Sequence, residues 1–219
     1  MAIYLMLESR KGISSNQLRR MLKVAPKTAW YLTHRIRKAV EEINPPKLDG
    51  TVEADETHLG GRYDKRRKRG PWDKQAAMGM IERNGRFEAQ TILTASKTVL
   101  VGLIRERVEP DATVFTDEYA AYKTVSKTHQ KHDTVNHSAE EWVRGEVHPN
   151  NIESAWSLFN RSIVGTFHKI SRKHMNAYLN EFEWRFNNRT NPYLFRDTLL
   201  KLIASPKMEY RELVDAKSA

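Results

Sequence analysis

The stretch Thr51–Leu59, TVEADETHL, decides how this chain is read. Val52 and Ala54 alternate with Glu53, Asp55 and Thr57 before a Gly60-Gly61 turn, and a side-chain period of two predicts a strand with one apolar and one polar face. Asp55 is the exception that needs a reason, because aspartate is depleted in strand interiors. Downstream, QAAMGMIE (75–82) and RFEAQTIL (86–93) flank Asn84-Gly85, a strong hairpin signal, so three successive antiparallel strands are expected. A helix over Ser96–Arg107 follows, then ATVFTD (112–117), a short β-rich run ending in Asp117. A helix near Tyr119–Lys127 and a brief strand near Thr134–Asn136 come next, and further helices are expected over 150–164, 173–188 and Tyr193–Ala204. The fold class is α/β, a mixed sheet flanked by helices.

Upstream of the strand, the chain breaks at Asn44-Pro45-Pro46. Before the break, Ser14 or Ser15 can cap a short helix ending near Leu22, and Pro26 suits the first turn of a longer one. Two helices joined by three or four residues are the outline of a helix-turn-helix. In the second, Ala29, Leu32, Ile36 and Val40 share one face, while Lys27, Tyr31, His34 and Lys38 cluster opposite with Arg35 beside them. Such a basic, aromatic face is what docking into a DNA groove needs. The expected division is a helix-turn-helix domain over 1–43, a linker over 44–50, a catalytic domain over 51–190, and a C-terminal helix and tail over 191–219.

Charge points the same way. Among 219 residues, 37 Lys and Arg outnumber 27 Asp and Glu for a formal charge of +10, which suits a polyanion better than a neutral metabolite. No apolar run approaches the roughly eighteen residues of a spanning helix and no signal peptide opens the chain, so the expectation is a cytoplasmic, nucleoid-associated protein with no membrane partner. The absence of cysteine excludes disulfides, thiolate metal sites and thiol nucleophiles. Between the first two strands, RYDKRRKRGPWDK (62–74) holds seven Lys and Arg. Like charges crowded this way repel unless phosphates neutralise them, which makes Arg66, Arg67, Lys68 and Arg69 candidate DNA contacts and Trp72 a candidate stacking residue.

The segment HPNNIESAWSLFNR (148–161) supplies the last element. Ile152, Ala155, Trp156, Phe159 and Ile163 recur at helical spacing as a face to be buried, and Glu153 lies at its edge. If the fourth strand is the parallel neighbour of the first, Asp55 and Asp117 come side by side, and a helix crossing that edge brings Glu153 to them. Three converging carboxylates repel unless divalent cations neutralise them, and oxygen-only ligation suits magnesium or manganese. His137 and His148, on the approach to Glu153, are candidates to contact phosphate or a metal-bound water. His129 and His132 read as exposed histidines, and Trp142, Trp156 and Trp184 as core.

VEADETHLGG, VFTDEY, VNHS and HPNNIESAWSLFNRSIVGTFHKISRKHMNAYLNEFEWRFNNR together resemble the insertion-sequence transposases of the DDE type, in particular the ISXO-like family. Asp117 and Glu153 are separated by 35 residues, an interval typical of that triad, and the resemblance covers nearly the whole chain. It implies a ribonuclease-H-like fold in which Asp55, Asp117 and Glu153 hold two Mg2+ or Mn2+ ions. The implied activity is metal-dependent cleavage and strand transfer of double-stranded DNA, acting on element terminal repeats and target DNA, by a homodimer or higher oligomer on DNA. Two departures stand out. Family members usually carry Lys or Arg seven residues after the glutamate, within about 20° of the same helix face, where this chain has Asn160; Arg161 is about 100° further round. Family members also generally have a cysteine-bearing zinc ribbon ahead of the helix-turn-helix, and none precedes it here. The alternative is a catalytically inactive DNA-binding remnant or regulator with a ribonuclease-H-like body.

Overall fold

The computed structural model describes residues 1–60, 74–117, 122, 125, 126, 131–135 and 150–215. The strand that opened the reading is β1 (Thr51–Leu59), and β2 (Gln75–Glu82) and β3 (Phe87–Thr91) follow it as antiparallel neighbours. Asn84, with φ of +62°, carries the β2–β3 hairpin in the left-handed conformation that asparagine tolerates best after glycine. Next come α4 (Lys97–Arg107), β4 (Thr113–Asp117) and β5 (Lys131–Val135). The helix expected near Tyr119–Lys127 falls mostly outside the described residues.

The five strands form one sheet in the order β3-β2-β1-β4-β5, with β4 parallel to both β1 and β5. Three antiparallel strands followed by two parallel additions on the side of the first is the ribonuclease-H-like arrangement. β5 begins three residues earlier than the sequence suggests. Lys131, His132 and Asp133 give an edge strand no apolar alternation to be recognised by, and charge on an edge discourages pairing with another chain.

Both faces of β1 are covered. On one, Val52 and Ala54 join Met78, Met80 and Val114 beneath Leu100 and Ile104 of α4. The opposite face carries Glu53 and Asp55 and is crossed by α5 (Asn150–Ser162), whose Ile152, Ala155, Trp156 and Phe159 are buried as the helical spacing predicts. Each large apolar side chain so buried contributes about 1.5–3 kcal/mol, which fixes how α5 lies on the sheet.

The chain divides into two compact units, Asn44–Asn160 and a discontinuous one formed by Met1–Ile43 with Arg161–Ala219. The boundary between the units falls inside α5, so residues 161–190 group with the N-terminal helices.

In that second unit, α1 (Ala2–Glu8), α2 (Ser15–Leu22) and α3 (Pro26–Ala39) precede the sheet, while α6 (Met175–Asn187), α7 (Leu194–Ala204) and α8 (Tyr210–Val214) follow it. The Ser14 hydroxyl accepts from the Gln17 N–H and caps α2, and Pro26 opens α3. Ile3, Met6, Ile13, Leu18 and Ile36 form the core. α6 is tied to α3 by a buried ion pair, Arg37 Nε to Glu181 Oε2 at 2.7 Å, and to the end of α1 by Arg185, which donates to the Ser9 and Arg10 carbonyls. No helix among the described residues is long and apolar enough to cross a membrane.

Candidate active site

The parallel register of β1 and β4 brings two acids together. Thr51 pairs with Thr113, Val52 with Val114 and Glu53 with Phe115, so carrying the offset two residues further sets Asp117 level with Asp55. Both are half-buried at the end of this pairing. Glu153, in the first turn of α5, is exposed at the edge of the buried stripe.

These acids feel one another. Burial first, and then the charges of Glu56, Asp117 and Glu153, push the Asp55 carboxyl up to about 7. Ionising Asp55 is therefore costly in the protein alone, and a divalent cation would offset that cost. Among the described residues no three His, Asp or Glu side chains gather around one point that could hold a metal ion. The oxygen-only donors are of the type hard divalent cations take, and the raised Asp55 carboxyl is one whose ionisation such a cation would favour.

Six residues at this site escaped the sequence reading: Glu56, Tyr122, Glu53, Asn151, Arg83 and Gly79. Glu56 accepts a hydrogen bond from the Tyr122 hydroxyl on the α4 side of the sheet. Burial raises the Glu56 carboxyl, and burial with the nearby acids raises the Tyr122 phenol far above its usual range. Glu53 has no exposed surface: its Oε2 accepts from the Asn151 and Ile152 backbone N–H groups at 2.9 and 3.1 Å, and its Oε1 from Asn151 Nδ2 and Arg83 Nε at 2.9 and 3.1 Å. Arg83 in turn lies over the Phe115 ring, its guanidinium carbon 4.8 Å from the centroid. Gly79 pairs with Asp55 across the β1–β2 ladder, and a Cβ there would come within 2.5 Å of the Trp156 ring. α5 can lie this close to the strand only because position 79 has no side chain. The alternation of β1 places Glu53 on the Asp55 face, but nothing local to it announces a partner 98 residues away.

The basic face expected on α3 is corrected by the structure. His34 is 2% exposed, with its ring packed against Trp30, His174 and Tyr178. Burial, then Arg37 and His174, push it down to about 3, so it is a neutral core side chain. Tyr31 donates its hydroxyl to the Met208 carbonyl, and Arg35 donates to the Leu202 and Ser205 carbonyls at the end of α7. The cause is that α3 packs against α6, α7 and α8, which the heptad-scale pattern of α3 alone could not reveal. Lys27 and Lys38 remain exposed, the first over the Tyr210 ring and the second paired with Glu41; Arg161 is exposed as well. Arg20 and Lys23 are also exposed beside the α2–α3 turn. Arg66, Arg67, Lys68, Arg69, His137 and His148 lie outside the described residues, as do Trp72, His129 and Trp142. His132 is in β5, its Nε2 3.0 Å from the Thr116 hydroxyl, and Trp156 and Trp184 are buried as expected.

Residues 47–187 match the ISXO2-like transposase domain family. An uncharacterized transposase-like protein of Haemophilus influenzae is 35% identical over 89 residues, which is 41% of this chain and 71% of the relative. An uncharacterized protein in the transposable element ISH50 of Halobacterium salinarum is 28% identical over 193 residues, 80% of this chain, and the match spans 65% of that relative's length. Among solved structures, a chain of the simian T-cell lymphotropic virus intasome in complex with PP2A regulatory subunit B56 gamma is similar over 90% of this chain and 76% of its own, at 12% identity and a TM-score of 0.43.

Proposed function

The chain belongs to the ISXO2-like transposase family, and we propose that it cleaves and joins DNA strands at the ends of an insertion sequence, using Asp55, Asp117 and Glu153 to hold two divalent cations, Mg2+ or Mn2+. The observation that supports this is the raised carboxyl of Asp55, which feels the charges of Asp117 and Glu153, in line with a β1–β4 register that would bring Asp117 level with Asp55 if carried two residues past its last pair. When bound, such ions activate a water or 3′-hydroxyl as nucleophile and stabilise the leaving oxygen of the phosphodiester. Asp55, whose carboxyl feels the charges of both Asp117 and Glu153, would hold the ions together with those two acids. The same site would serve cleavage and then strand transfer, with no covalent protein–DNA intermediate.

Double-stranded DNA is the proposed partner, both as terminal repeat and as target, and joining two ends calls for at least two copies of the chain. With His34, Tyr31 and Arg35 turned to the core, the helical unit would meet phosphates through Arg20, Lys23 and Lys27 at the α2–α3 turn, and through Lys38. Asn160 is the one residue that favours the reading of an inactive DNA-binding regulator, since a neutral amide stands where the family usually carries a cation.

A labelled element end, incubated with the protein and magnesium with and without chelator, tests the proposal. The wild-type chain cleaves and joins it only when the cation is free. Asp55→Asn and Glu153→Gln lose both steps and keep measurable end binding. Cleavage that persists in either variant refutes the site, and binding with no cleavage by the wild-type chain points to the regulator.

A further inference from the structure

We infer that Glu53 is the positioning residue for Glu153, a role that rests on the proposed two-ion site. α5 must hold Glu153 at the sheet edge against repulsion from Asp55 and Asp117, and Glu153 lies in its first turn, where helices fray most readily. At that turn the N–H groups of Asn151 and Ile152, which have no partner within the helix, both point at one oxygen of Glu53. The Glu53 carboxylate thus caps α5 from a different element, and the negative charge it brings to the helix N-terminus complements the backbone dipole.

The cap is itself held fixed. Its second oxygen accepts from Asn151 Nδ2, which clamps the same residue a second time, and from Arg83 Nε. Arg83 lies against the Phe115 ring, and the carboxylate, with a charged and a neutral donor on Oε1 and two backbone N–H donors on Oε2, has no exposed surface. Glu53 is also two residues from Asp55 on the same face of β1. One strand therefore provides both the central acid and the anchor for the helix that carries the third. The spacing between Asp55 and Glu153 is set over a path of one strand step and one helical turn, not through the whole core.

Glutamine cannot replace glutamate here, because all four donors converge on the two oxygens and an amide must turn its NH2 toward one pair of them. Glu53→Gln is expected to speed amide hydrogen exchange of Asn151 and Ile152 while β1 and β2 amides keep their protection. It should also weaken Mn2+ binding, measured by titration calorimetry without DNA, by about tenfold, the lower end of what loss of a residue supporting metal ligands costs. A residue that served stability alone would lower the fraction folded without moving the metal affinity of the folded chains.

Asn151→Ala, at an exposed position, removes a single bond to Glu53 and is the second variant should Glu53→Gln fail to fold; it is expected to move both readouts in the same direction by a smaller factor. Wild-type exchange at the start of α5, or wild-type Mn2+ affinity, in the folded variant overturns the role of Glu53. Asp55→Asn in the same titration separates the two readings. If it binds Mn2+ like the wild type, the two-ion site falls. If it does not and Glu53→Gln matches the wild type, only the role of Glu53 falls.

Discussion

Gly79→Ala tests whether the close approach of α5 to β1 sets the acid geometry. The added Cβ would lie 2.5 Å from Trp156 Cζ2 and 3.0 Å from both Trp156 Cε2 and Ile152 Cδ1. Ordinary van der Waals contact begins near 3.4 Å, so the indole must retreat by about 1 Å. A rigid bicyclic ring packed edge-on to Phe87 cannot yield that distance by a small torsion, and the helix must lift with it. Overpacking of this kind costs about 1–3 kcal/mol, to be read from urea denaturation. Glu153 is three residues before Trp156 on the same helix, so it moves too, and a displacement of about 1 Å near a reacting centre can lower a rate by about a hundredfold. The magnesium-dependent cleavage assay should show that loss with end binding unchanged. Adding Trp156→Phe shortens the ring that Cβ meets, so the double variant should recover part of both losses relative to the sum of the single ones. If Gly79→Ala keeps wild-type stability and cleavage, then α5 is not held at the distance described.

Two further outcomes check other parts of the molecule. His34 has a folded pKa near 3 against 6.5 for the unfolded chain, so its contribution is complete above pH 6.5 and lost as the pH falls toward 3. At pH 4 the loss is about 3 kcal/mol by linkage, and chemical denaturation from pH 7 to 4 should show the wild-type chain losing that much more stability than His34→Leu; parallel curves would refute the burial of a neutral imidazole. Asn160→Lys should raise affinity for a labelled element end, with an added dependence on salt of about one phosphate contact. Equal affinity and equal salt slope in the two proteins would show that position 160 does not face DNA.

β1, β2 and α5 were legible because each carries its own pattern. Val52 and Ala54 alternate with polar residues, Asn84-Gly85 makes the hairpin, and Ile152, Ala155, Trp156 and Phe159 repeat at helical spacing. The separation of Asp55 and Asp117 in sequence becomes proximity through a parallel register that the element order implies. What stayed hidden depends on burial imposed from elsewhere. Alternation in β1 marks Glu53 as polar and suggests an outward side chain, yet α5 covers that face and leaves it with no exposed surface. The same cause misled the reading of α3. Its amphipathic pattern is real, but a basic face is exposed only if no other element lies on it, and α6, α7 and α8 come from more than 130 residues further along. Long-range cover of a polar face leaves no trace in the local periodicity of the residues beneath it.

The discontinuity of the helical unit has a consequence for the order in which the chain is made. Asn44–Asn160 is one continuous length and can close its sheet as soon as it has been synthesised, whereas the first 43 residues wait for Arg161–Ala219. Tyr31 finds its acceptor on Met208, 177 positions later, and Arg35 finds Ser205 after 170. The earliest helices of a nascent chain therefore stay unfinished until residues 161–215 have been made. A chain broken off before Arg161 would keep the sheet with Asp55, Asp117 and Glu153 and lose the elements against which α3 packs.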